Sequence, residues 1–74
     1  MFDVSLRRAD HIRRYSIVHA NESGWEVRFE EDTTLERRVL YQDWHRVERA
    51  RALFEREVSE LTERGWVVSQ STKR

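Results

Sequence analysis

No Cys occurs in this 74-residue chain. Disulfides, thiolate metal sites and thiol nucleophiles are therefore excluded. The absence fits a reducing compartment. Pro is missing as well, and Gly occurs only at 24 and 65. Two Gly so far apart cannot build a Gly-rich phosphate loop, and such a composition is not that of a linker or a low-complexity segment. No apolar run approaches the roughly 20 residues of a membrane span. The opening residues, MFDVSLRRAD, mix acid with base and lack a long apolar run, so a signal peptide is not expected and a cytoplasmic location is. An excess charge of either sign is lacking too: 14 basic residues stand against 14 acidic ones. The bulk basic surplus that would point to nucleic acid or anionic lipid is thus missing.

Catalytic signatures are also wanting. His11, His19 and His45 have no i, i+4 ligand spacing, and no His-Glu-x-x-His or Asp-rich loop occurs. No Ser lies in a Gly-x-Ser-x-Gly elbow. A chain of this size has little room for a pocket that buries a substrate. The expectation is a protein with no enzymatic activity, no cofactor and no metal.

What is present is one long periodic stretch, DWHRVERARALFEREVSELTERG, at residues 43–65. Val47, Ala50, Phe54, Val58, Leu61 and Gly65 recur at spacings of three and four. At about 100° per residue they form a band roughly 80° wide, the mark of an amphipathic helix. Asp43 is a suitable N-cap, and Gly65 suits the residue that ends the helix. Trp44 and Thr62 flank the band, and Leu53 lies off to one side.

The remaining segments are shorter. Residues 25–31, WEVRFEE, alternate Trp25, Val27 and Phe29 with Glu26, Arg28 and Glu30, a half-buried strand. Residues 13–20 and 35–41 read as strands on either side of it, with a turn at residues 21–24 and another at residues 32–34. Residues 66–70 read as a short last strand. Residues 1–12 alternate at first and then turn polar, so they are expected to be loosely held, as is the tail at 71–74. The predicted architecture is a single α+β domain over residues 1–74, β-β-β-α-β. It is a three-stranded antiparallel meander with the long helix on one face. A right-handed crossover would set the last strand parallel to the third, beside the first. A meander followed by a helix also describes the WGR-type nucleic-acid-binding module. Its Trp-Gly-Arg signature is absent here, where Gly65-Trp66 has the reverse order, so no site is carried over.

One feature of the helix is not needed for folding. Its first half carries Arg46, Arg49 and Arg51 against Glu48 alone, while its second half is richer in Glu. The helix dipole prefers the opposite order. Arg37 and Arg38 precede the helix closely, so five Arg can gather near its N-terminus, where free amides favour anions. The alternative is that they pair with Glu26, Glu30, Glu31 and Glu36 or simply solvate the surface. Every basic residue except Lys73 is Arg, which fits a GC-rich bacterial genome as well as bidentate anion contacts. Val18, Leu40 and Leu53 also lack an assignment: they form an interaction surface, or residues 1–12 fold over them. The expected function is an interaction module that binds a protein partner or a second copy of itself. The alternative is nucleic-acid or anion binding through Arg37, Arg38, Arg46, Arg49 and Arg51.

Overall fold

Five strands and one helix make up the computed structural model, which describes residues 2–20 and 24–73. In chain order they are β1 (Phe2–Arg8), β2 (His11–His19), β3 (Trp25–Glu31), β4 (Thr34–Tyr41), α1 (Trp44–Glu63) and β5 (Val67–Lys73). The strands form one sheet in the order β4-β3-β2-β1-β5, and every neighbouring pair is antiparallel. The class is α+β, as expected. The strand count is not: a full strand precedes the three of the predicted meander.

Two observations explain why β1 is hard to read. Phe2, Val4 and Leu6 do alternate, and all three are buried at 2% exposure or less. The hairpin that should announce the strand, however, lacks the Gly or Asn that its positive-φ position favours. Arg8 pairs with His11, so the loop is only Ala9-Asp10, and Ala9 takes φ 53 without being Gly. Polar Arg7, Arg8, Asp10 and His11 then mask the continuation into β2, which starts at residue 11. Residues 2–8 therefore lie between β2 and β5, and they do not fold over Val18 and Leu40.

The last strand is also longer than expected and pairs differently. β5 lies antiparallel to β1, with Val4 opposite Ser71 and Leu6 opposite Val68. Counting the reversals from β1 to β4 shows that β4 and β5 run in the same direction, as a crossover through a helix requires. They occupy opposite edges, and α1 packs across β2, β3 and β4 on one face of the sheet.

The register decides what the helix covers. Phe2, Val4 and Leu6 of β1 line up with Ile17, Tyr15 and Arg13 of β2. Tyr15 and Ile17 line up in turn with Phe29 and Val27 of β3. Val27 lies opposite Val39, and Trp25 opposite Tyr41. On this face α1 sets down Val47, Phe54, Val58 and Leu61, the four buried residues of its predicted stripe. Burying four such side chains contributes on the order of 6–12 kcal/mol, an upper value because the unfolded chain is partly collapsed. Phe54 packs at 4.9 Å from the ring of Tyr15 and 6.1 Å from that of Phe2.

Both helix ends are closed as the sequence suggests. The Asp43 carboxylate accepts from the His45 amide at 3.0 Å. At the other end Gly65 takes φ 98, its amide donates to the Thr62 carbonyl, and the Trp66 amide donates to the Leu61 carbonyl at 2.9 Å. This pair of bonds is the Schellman closure. Gly24 holds φ 118, and a Cβ there would stand 2.8 Å from the Tyr41 carbonyl oxygen. Residues 21–23 of the expected turn lie outside the described residues.

The β3–β4 loop is Asp32-Thr33, both at positive φ, so the hairpin closes as a type I′ turn without Gly. Asp32 reaches back to β2. Its carboxylate accepts from the Ile12 amide at 2.9 Å and meets His11 Nδ1 at 3.1 Å. The amide bond and then the His11 contact hold this carboxyl below the usual carboxylate range.

Candidate functional site

The N-terminal half of α1 does not fill the space over β3 and β4. The space left is an open groove of about 440 Å³. Its apolar lining comes from Val27 and Phe29 on β3, Val39 and Tyr41 on β4, and Ala50, Leu53 and Phe54 on α1. Leu53 is 44% exposed and forms part of the helix wall. Three Arg complete the lining: Arg37 from β4, and Arg46 and Arg49 from α1. No acidic residue lines the groove.

Each Arg arrives there for a local reason. On β4, Arg37, Val39 and Tyr41 share the helix-facing side because side chains alternate. On α1, Arg46, Arg49 and Leu53 recur at spacings of three and four, so they share one stripe beside the buried one. The helix has no acidic residue in its first turn to draw them away. None of the three makes an ion pair among the described residues, in contrast to Arg13, Arg14, Arg28, Arg38 and Arg51.

The predicted group of five Arg is therefore divided. Arg38 follows Arg37 on a strand and so projects from the opposite face of the sheet, where its Nε donates to Glu26 at 2.8 Å. Arg51 lies around the helix from Arg46 and pairs with Glu55 at 3.2 Å, beside Trp44 and Glu48. Neither belongs to the groove. The reading in which Arg pair with strand acids holds for Arg38. It does not hold for the three groove residues.

The aromatic side chains near the helix start are largely structural. Trp25 and Trp44 pack with ring centroids 5.0 Å apart, and the Trp44 indole N–H donates to Glu48. Tyr41 alone among the Tyr and Trp lines the groove. Among the described residues, no group of three or more His, Asp or Glu is placed to hold a metal ion. No helix among them is long and apolar enough to cross a membrane.

The sheet face away from α1 is uncovered and carries a continuous ladder of ion pairs. Asp3 meets Arg14 at 2.7 Å, Arg14 meets Glu30 at 3.7 Å, and Glu30 meets Arg28 at 3.7 Å. Arg28 meets Glu26 at 3.2 Å, and Glu26 meets Arg38 at 2.8 Å. The ladder spans β1 to β4, with acid and base alternating. The Asp3 and Arg14 bonds are bidentate and raise the guanidinium pKa further. Val18, Leu35, Leu40 and Val67 stand exposed around the ladder.

Sequence reasoning missed the groove because its floor and its rim come from different elements. The signal that could have found the helix wall is the second stripe, Arg46, Arg49 and Leu53. No family model, curated protein or solved structure matches the chain.

Proposed function

We propose that this domain is a non-enzymatic binding module whose groove between α1 and β4 takes an acidic, apolar-anchored segment of a partner protein. The observation that carries the reading is the trio Arg37, Arg46 and Arg49, unpaired around an apolar floor with no acid among the lining residues. A lone basic patch would suit any polyanion. Here the cations surround a hydrophobic depression, so the complementary ligand carries acids and apolar side chains together. Carboxylates meeting three Arg give charge-assisted bonds, and an apolar anchor in the groove supplies the burial. A reducing bacterial cytoplasm is the setting proposed with it, on the lack of Cys.

The test is a fluorescence-polarisation titration with labelled peptides. A peptide alternating Glu and Leu is expected to bind, and one of equal length alternating Lys and Leu is not. Arg46→Ala and Arg49→Ala should each weaken binding about tenfold, the scale of one charge-assisted contact. Binding of an oligonucleotide in place of the peptide, falling steeply with salt, would assign the groove to nucleic acid. Failure of both probes would remove the reading.

A further inference from the structure

The uncovered sheet face makes a second, independent statement. Its charges are not scattered. In strand order the face reads Asp3 on β1, Arg14 on β2, Glu30, Arg28 and Glu26 on β3, and Arg38 on β4. Register fixes their rows. Asp3, Ser16, Arg28 and Arg38 lie abreast across the four strands, and so do Ser5, Arg14, Glu30 and Leu35.

We infer that this face is a two-fold self-association surface, with a second copy of the chain as its occupant. In a face-to-face pair, a two-fold axis parallel to the strands and midway between β2 and β3 exchanges β1 with β4 and β2 with β3. In the first row this sets Asp3 of one copy over Arg38 of the other. In the second row it sets Arg14 over Glu30. The axis repeats both pairs, giving four intermolecular contacts between opposite charges. Arg28 falls over the Ser16 position, and no two like charges of the ladder face each other. An isologous interface demands that a surface complement itself, and few arrangements of charge do so. An alternating ladder of even length meets that demand. The groove lies on the other side of the sheet, so self-association leaves it open.

The size of the face sets the strength. The axis superposes four strands of about seven residues, β5 having none opposite it, and these cover roughly 440 Å² per copy. Stable interfaces bury about 800 Å² per partner, so the dimer is weak and salt-sensitive.

Sedimentation equilibrium from about 10 µM to about 1 mM is expected to show a monomer–dimer equilibrium that weakens at least tenfold between low and high salt. Amide shifts on dilution should fall on residues 3, 14, 30 and 38. The Asp3→Arg and Arg38→Asp variants, each checked for folding by circular dichroism, should each lose self-association at least tenfold. Mixing the two restores it, because opposite charges again face each other at both ends. Should a reversal impair folding, the wild-type shift map under dilution carries the test alone. A strict monomer at 1 mM in low salt overturns the proposal. So does a shift map on the groove or the strand edges, or a mixture of folded variants that stays monomeric.

Discussion

Arg28 and Arg38 stand directly opposite each other on β3 and β4, two like charges in one cross-strand pair. Such a pair is destabilising by itself. It persists because Glu26, one row away on β3, holds both guanidinium groups, at 3.2 Å and 2.8 Å. The Glu26 side chain is only 15% exposed, so its charge is poorly screened. Glu26→Gln is therefore expected to cost about 1–2 kcal/mol, through the weakened charge-assisted bond from Arg38, the lost ion pair with Arg28 and unmasked repulsion. Urea denaturation at two ionic strengths checks it. The loss should shrink in high salt; a loss below about 0.3 kcal/mol at low salt would show that the Arg pair needs no mediator.

Tyr15 gives the alkaline limit of stability. Burial, followed by the nearby Glu57 carboxylate, pushes its hydroxyl up from the ordinary 10.0 to about 12. The folded state thus favours the neutral phenol. The sign follows: this contribution is complete below pH 10 and is lost as pH rises from about 10 to 12. The size is on the order of 2–3 kcal/mol. Tyr15→Phe should flatten that part of the stability profile, as measured by denaturant midpoints from pH 8 to 12. An unchanged alkaline slope would place the titration elsewhere.

Thr33 offers a gain. It holds φ 67 in the β3–β4 turn, a conformation that strains a β-branched residue. The Thr33 hydroxyl donates to the Asp32 carbonyl at 2.6 Å, which offsets only part of that strain. Thr33→Gly is expected to stabilise the fold by about 0.5–1 kcal/mol, less than the full left-handed cost because Gly is freer when unfolded. Thermal melting provides the readout, and a fall in midpoint would contradict it.

The centrality of β1 is tested by contrast. Leu6 is 0% exposed, whereas Leu40 is 59% exposed. Leu6→Ala should cost about 2–5 kcal/mol, and Leu40→Ala less than about 0.5 kcal/mol. Equal, small effects at both positions would mean that the first residues do not build the core.

The helix was fully legible in the chain because its signals are local. Period 3.6 selected Val47, Phe54, Val58 and Leu61, and Asp43 and Gly65 marked the ends. Strand β3 was legible for the same reason, its period of two being unbroken. Strand β1 was not, because the Ala9-Asp10 turn has Ala where its positive φ favours Gly or Asn. The separation of Arg37 from Arg38 was in principle readable, since neighbours on a strand point to opposite faces. Which of them faces the helix was not.

The sequence by itself determined the class, the apolar stripe of α1, its two caps and an Arg-rich helix start that opposes the dipole. Each of these depends on residues within one or two turns of one another. Tertiary structure alone decided the place of β1 at the heart of the sheet and the pairing of β5 with it. It also decided which three of five Arg line the groove and how the ladder crosses four strands. These depend on register between segments far apart in the chain, and register is settled by which faces can be buried together, a property no single segment carries.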